Sequence, residues 1–102
     1  METIDPQSLD KTIHSPVRLA IMAALVASEE IEFRLLKDSF SLTDGNLSSH
    51  LLKLEESGYI KVKKTFKGKR PLTILSATKR GRRAFEDYVD KIERIIGRAS
   101  SS

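Results

Sequence analysis

One stretch of the sequence, from Thr43 to Gly58, restricts the fold more than any other. Thr43 is a preferred N-cap residue, and the leucines that follow it, Leu47, Leu51 and Leu54, are spaced by four and three residues. This spacing lines up the leucines along one side of an α-helix and leaves polar side chains on the other. Gly58 suits the left-handed position that ends a helix. The stretch therefore predicts a capped helix with an apolar side in a core and an exposed polar side.

Capping residues and apolar periodicity predict the remaining helices. Their expected ranges are 6–11, 16–28 and 33–39, followed after the capping residue Thr78 by a long helix over 78–96 that stops at Gly97. The helix over 33–39 is expected to bury Leu35, Leu36 and Phe40. Residues 98–102 are expected to form a disordered tail.

Two strand-like runs, Tyr59–Phe66 and Pro71–Leu75, flank the glycine-containing tip of a predicted β-hairpin. Alternation over 30–33 is consistent with a further short strand. The order of three helices, a hairpin and a long helix predicts a mainly α fold with a small β-hairpin (α+β), the winged form of the helix-turn-helix. A chain of 102 residues accommodates one such domain over 1–102, with a core of about 13–76.

Composition limits the class of protein. With 39% apolar and 31% charged residues, the chain is expected to be a soluble globular domain, without a signal segment or an apolar run long enough to cross a membrane. The absence of cysteine removes disulfides and thiolate ligands, which suits a cytoplasmic protein. Because only His14 and His50 carry imidazoles and no catalytic spacing appears, we expect no enzyme activity, no metal site and no cofactor.

Charge is unevenly distributed, although the net charge is only +4. Ten lysines and arginines and no acidic residue lie between Ser57 and Phe85. This segment would create a local positive field of the kind found in polyanion-binding proteins. The alternative interpretation of the same charges is a solvated hairpin that lysine keeps soluble.

Three segments together resemble the ArsR- and MarR-type transcriptional regulators of bacteria and archaea. They are Ile13–Leu25 with its Pro-x-Arg motif, Leu42–Ile60 with its Ser-x-His-Leu motif, and Leu75–Gly81. The resemblance extends over about 13–96 and implies a stand-alone winged-helix regulator of transcription, with a repressor expected. Metal sensing is not expected, because the cysteine-containing sensor motif of the metal-sensing ArsR proteins is missing from Glu32–Asp38.

The expected partner is double-stranded DNA, with a recognition helix over about 43–57 in the major groove and a wing over 66–71 on the flanking groove or backbone. The predicted DNA-binding residues are Thr43, Asn46, Ser48, Ser49, Lys53, Lys67, Lys69 and Arg70. The family resemblance adds His50, for which partial burial as a packing residue is an equal alternative. Asp44 is better explained as a residue that compensates the helix dipole. The arginines that begin the last helix oppose its dipole and suggest an external anion.

The last helix carries apolar residues at a spacing of four, three and four, which is typical of a coiled-coil seam. We therefore expect a homodimer whose interface contains Phe85, Val89, Ile92 and Ile96. A small-molecule effector is compatible with the family resemblance but is not required by any residue. A winged helix used for protein–protein assembly is the main alternative function, and RNA binding is less favoured because paired stacking aromatics are lacking.

Overall fold

The computed structural model describes the backbone of residues 4–100 and the side chains of residues 4–97. Its elements are a 3₁₀ helix Pro6–Ser8, α1 (Pro16–Ala27), β1 (Ile31–Glu32), α2 (Phe33–Ser39), α3 (Asp44–Glu56), β2 (Ile60–Lys67), β3 (Arg70–Ala77) and α4 (Lys79–Ser100). This order confirms the predicted winged helix with a long C-terminal helix.

Local capping chemistry begins α1 and α3 where the sequence predicts. The Ser15 side chain accepts from the Arg18 backbone N–H at the beginning of α1, and Thr43 accepts from the Asn46 N–H at the beginning of α3. Gly58 ends α3 with a φ of 78°, a left-handed conformation that glycine adopts without steric cost.

The sheet has three antiparallel strands in the order β1-β3-β2. The short first strand pairs Ile31 with Leu75, so the hairpin is joined to the helical part of the domain. Across the hairpin, Val62 faces Leu75 and Lys67 faces Arg70. Because side chains alternate along a strand, one side of the hairpin packs on the helices and the other faces solvent.

The core lies where α1, α3, the sheet and α4 meet. Its buried members are Ile13, Ile21, Met22, Leu25, Leu36, Leu47, Leu51, Leu54, Ile60, Leu75 and Tyr88. The three leucines of α3 are therefore buried as predicted. The predicted burial of Leu35 is wrong, since this residue is 61% exposed: it lies next to Leu36 on the short α2 and points about 100° away from it.

Two predicted helix boundaries are also wrong. The helix expected over 6–11 is only the 3₁₀ turn Pro6–Ser8, because Leu9 is extended and the Asp10 carboxylate accepts from the backbone N–H groups of Thr12 and Ile13. The last helix continues through Gly97 to Ser100, since a lone glycine weakens a helix by about 1 kcal/mol without ending it. The predicted disordered tail overlaps this last turn, and residues 101–102 lie outside the described residues.

Candidate nucleic-acid interface

The polar side of α3 is open to solvent. Its first turn is held by the Thr43 hydroxyl oxygen, which accepts a hydrogen bond from the Asn46 backbone N–H at 3.1 Å. Five of the predicted contact residues are exposed here: Thr43, Asn46, Ser48, Ser49 and Lys53. Hydroxyl and amide groups thus project from the first two turns of α3, near the positive end of the helix dipole, and the Lys53 ammonium projects from the last turn.

The turn between α2 and α3 fixes the direction of this helix. Ser41 in the turn has a φ of 53°, and Lys37 Nζ of α2 lies 3.0 Å from the Asp44 carboxylate of α3. Asp44 is in the first turn of its helix, so its charge also compensates the helix dipole. This geometry supports the dipole interpretation of Asp44.

His50 lies on the flank of α3 that faces α1. Its Nδ1 is 3.1 Å from an Arg18 guanidinium nitrogen, and the same guanidinium donates to the Thr12 carbonyl at 2.6 Å. Because arginine has no acceptor, Nδ1 must accept and the ring proton is on Nε2. Burial, followed by the nearby charges of Arg18 and Lys53, lowers the pKa of His50. Partial burial favours the packing role, and a contact of His50 with DNA stays a prediction.

The hairpin tip carries exposed cations. Gly68 turns the chain with a φ of 64° between the paired residues Lys67 and Arg70. Lys67, Lys69 and Arg70 are all exposed, and Arg70 lies 3.4 Å from the Glu32 carboxylate of β1. Because this pair is solvent-exposed, it is weak and leaves the arginine able to exchange partners.

An open groove of about 400 Å³ separates α3 from the hairpin. Of the predicted contact residues, Ser48 lines it, opposite Lys64 of β2. Sequence reasoning counted Lys64 in the basic segment but did not select it. The alternation of side chains along β2 could have identified Lys64. Ile60, Val62 and Lys64 share one side of the strand, and Ile60 and Val62 pack on the helices, so Lys64 also faces α3.

The arginines at the beginning of α4 have intramolecular partners, which the external-anion interpretation missed. Arg82 donates to the Val26 carbonyl at the end of α1 at 3.1 Å, and the Arg80 guanidinium lies 6.0 Å from the centre of the Tyr59 ring. Arg83 and Lys79 are exposed. Two of these cations therefore stabilise the position of α4, and neither needs an external anion.

The predicted dimer seam is partly covered by the chain itself. Phe85 and Ile92 pack against the core cluster, Val89 is half-buried and Ile96 is 59% exposed. The deepest contact of α4 is instead Tyr88, which is 5% exposed and lies 2.7 Å from His14 Nδ1 through its hydroxyl oxygen. The uncovered part of the seam thus lies toward the end of the helix.

Two further properties of the described residues bear on function. Over residues 4–97, no group of three or more His, Asp or Glu side chains is arranged to hold a metal ion. None of the helices described above combines the length and apolar character needed to cross a membrane.

A helix-turn-helix with a polar exposed second helix, followed by a basic hairpin, defines the class of winged-helix DNA-binding proteins. The chain belongs to the family described as "Winged helix DNA-binding domain", whose pattern matches residues 17–96. Proteins of this class act by binding DNA and are not enzymes. The chain is 45% identical over 82 residues to the uncharacterized protein MJ0432 of Methanocaldococcus jannaschii, an alignment that includes 80% of this chain and 89% of the relative.

Solved structures of transcriptional regulators share the fold. A transcriptional regulator homologue from Pyrococcus horikoshii OT3 superposes with a TM-score of 0.83 and 29% identity, over 87% of this chain and 88% of that one. A MarR-family regulator from Rhodococcus sp. RHA1 superposes with a TM-score of 0.66 and 22% identity, over 86% of this chain and 61% of that one. An ArsR-family regulator superposes with a TM-score of 0.57 and 17% identity, over 85% of this chain and 84% of that one. The resemblance to ArsR- and MarR-type regulators is thereby confirmed for the fold, and the family match together with the Pyrococcus structure supports a DNA-binding regulator.

Proposed function

We propose that this protein is a homodimeric, sequence-specific repressor of transcription that binds double-stranded DNA with α3 in the major groove and the wing beside it. The observation that carries this proposal is the juxtaposition of an exposed polar helix side with a cationic hairpin. The exposed residues Asn46, Ser49 and Lys53 lie on α3, and Lys67 and Lys69 lie at the hairpin tip.

Each of these side chains has a chemistry that suits its place. An asparagine amide both donates to and accepts from an adenine edge, and a lysine donates to guanine or to phosphate. The hydroxyls of Thr43, Ser48 and Ser49 suit short hydrogen bonds to bases or to the backbone. At the wing, lysines neutralise phosphates, and Arg70 has the length to enter a narrow minor groove once it leaves Glu32.

The homodimer is proposed from α4. Its 22 residues correspond to about 33 Å of helix, and the molecule is 58 Å long but only 26 and 20 Å across. The apolar seam Phe85, Val89, Ile92 and Ile96 is partly covered by the chain's own core, and its exposed end at Ile96 is suited to pairing with a second copy. A two-fold axis there would present two copies of α3 to half-sites about one DNA turn, ~34 Å, apart.

Repression follows from occupancy: a dimer bound across a promoter excludes RNA polymerase. We therefore expect the protein to act in the cytoplasm, where the promoters of a bacterium or archaeon lie. A small-molecule effector that modulates this binding stays a prediction.

The experiment that tests DNA binding begins with selection of duplexes from a random library by the wild-type protein. The selected duplex is then titrated with Ser49→Glu and Lys53→Glu variants by fluorescence anisotropy. Both variants place a carboxylate beside the bases or phosphates, and we expect each to weaken binding at least tenfold. The matched control is Arg94→Glu, which makes the same charge change as Lys53→Glu on the side of α4 opposite the seam. Unchanged binding by both α3 variants would refute the recognition-helix assignment.

Salt dependence and mass provide independent checks. If six or more phosphates are contacted, affinity should fall by roughly a thousandfold between 50 and 200 mM salt. Light scattering should give the mass of two chains, and Ile96→Glu should shift it toward one chain. A single-chain mass for the wild type at micromolar concentration would refute the dimer, and transcription in vitro that is unaffected by the protein would refute repression.

A further inference from the structure

Leu52 is the one large apolar side chain on the polar side of α3 within the described residues, and it is 56% exposed. The other leucines of this helix, Leu47, Leu51 and Leu54, are buried in the core. Leu52 contributes little to that core, so the helix periodicity that explains the other three does not explain it. A leucine exposed to this extent forfeits most of its burial energy in the free protein.

The position of Leu52 on the helix determines what it would meet. Leu52 follows Ser48 by four residues and Ser49 by three, so these side chains are neighbours on the surface of α3. It also lines the groove between α3 and the hairpin, together with Lys64 and Glu55. A helix side that carries Ser49 and Lys53 into a major groove necessarily carries Leu52 with it.

The charges around Leu52 favour DNA over an apolar peptide as its partner. Lys53 is adjacent on the helix, Lys64 lies across the groove, and the exposed lysines of the hairpin continue the positive surface. Three acidic residues also adjoin it. Asp44, which is paired with Lys37, and Glu55 line the same groove, and Glu56 follows Leu52 by four residues. A carboxylate there is compatible with the amino group of cytosine, though not with phosphate. The major groove itself offers one apolar group, the C5-methyl of thymine.

We propose that Leu52 is a specificity-determining residue that packs against a thymine methyl group in the major groove. The preferred site then contains a thymine at a fixed distance from the base contacted by Ser49. This inference rests on the proposed function, because it requires α3 to lie in the major groove. It goes beyond that function in naming a base and the group on that base that is read.

The test compares the selected duplex with the same duplex in which deoxyuridine replaces thymidine, which removes the methyl group and leaves base pairing intact. Wild-type protein should bind the thymidine duplex more tightly, by about fourfold for each methyl group buried. Single replacements should then assign the effect to one position in each half-site. For Leu52→Ala, both duplexes should bind with nearly equal affinity.

Two controls separate a methyl contact from general weakening. Ser49→Ala should weaken binding to both duplexes while it preserves the ratio between them. Leu52→Met retains an apolar chain of similar volume and should retain part of the ratio. Since Leu52 is largely exposed, Leu52→Ala is expected to fold, and circular dichroism of each variant verifies this.

The outcomes are distinct. Equal binding of the two duplexes by wild-type protein overturns the methyl contact and leaves the proposed function standing. An undiminished ratio in Leu52→Ala also overturns it, because the methyl group is then read by another residue. Equal affinity of wild type and Leu52→Ala for the thymidine duplex overturns it as well, because Leu52 then contributes nothing to DNA binding. Failure of the wild type to bind any selected duplex overturns both the contact and the proposed function.

Discussion

Gly81 occupies the closest approach between α4 and the rest of the domain, and Gly81→Ala should destabilise the protein. A Cβ atom at this position would lie 2.0 Å from the Tyr59 carbonyl oxygen and 2.8 Å from its carbon. Both are backbone atoms, so the two segments must separate by about 1 Å to reach the 3.0 Å below which real Cβ contacts are hardly ever found. The same junction contains the hydrogen bonds from Thr78 N to the Tyr59 carbonyl and from Thr78 Oγ1 to the Gly58 carbonyl, at 3.0 and 2.6 Å.

The magnitude follows from these contacts. Overpacking costs about 1–3 kcal/mol, and weakening of two hydrogen bonds adds about 1 kcal/mol each. The better helix propensity of alanine stabilises the folded state by about 1 kcal/mol and offsets part of this loss. We therefore expect a decrease of about 2–4 kcal/mol in the free energy of unfolding. Gly97→Ala is the matched control, because a Cβ atom there would meet no other segment within 4 Å among the described residues, so the propensity gain is the expected effect.

Guanidinium denaturation followed by circular dichroism measures both variants at one protein concentration, which keeps any dimer contribution constant. Gly81→Ala should unfold at a lower midpoint than wild type, and Gly97→Ala at an equal or higher one. If Gly81→Ala were as stable as Gly97→Ala, the close approach of α4 to Tyr59 would not be a structural constraint.

Three further predictions concern titration and the recognition turn. Burial and the hydrogen bond to Asp10 raise the pKa of Tyr59 from 10.0 to about 12, so its contribution to stability is complete below pH 10 and lost as the pH rises toward 12. Denaturation midpoints should show this loss in wild type but not in Tyr59→Phe. Burial and the Arg18 charge lower the pKa of His50 below 6.5, so its contribution is lost as the pH falls below 6.5. An NMR titration of the His50 ring should give a midpoint lower than that of a free histidine, and Arg18→Met should raise this midpoint. Ser41 has a φ of 53°, so Ser41→Gly should preserve stability and Ser41→Val should lower the free energy of unfolding by about 1–2 kcal/mol.

Features encoded by neighbouring residues were predictable from the sequence. The cap at Thr43, the leucine stripe of α3 and the left-handed Gly58 are all local, and the structure contains each of them. The bounds of α2 were also predicted correctly. The exposed polar side of α3 follows from the same periodicity, which is why five of the predicted contact residues do lie on the surface.

Features that depend on distant partners were not predictable in this way. His50 and Arg18 are 32 residues apart, and nothing local to either residue indicates their hydrogen bond. The hydroxyl of Tyr59 donates to the carboxylate of Asp10, which ties the N-terminal segment to the beginning of β2. Such contacts require the tertiary fold, and Tyr59 thereby binds the same carboxylate that accepts from the Thr12 and Ile13 backbone N–H groups in the turn.

The arginines of α4 illustrate the physical difference between a position in sequence and a position in space. Counted along the helix, Arg80 and Arg82 oppose the dipole of their own first turn. A guanidinium lies several ångströms from its Cα atom, however, and that of Arg82 reaches the Val26 carbonyl at the negative end of α1. There the same charge is favourable, because it meets a helix C-terminus and satisfies a carbonyl left without an intrahelical partner. Arg80 is accommodated differently, over the face of the Tyr59 ring. The apparent electrostatic conflict of Arg80 and Arg82 is therefore resolved within the domain, and neither residue needs a phosphate to explain its place in the first turn of α4.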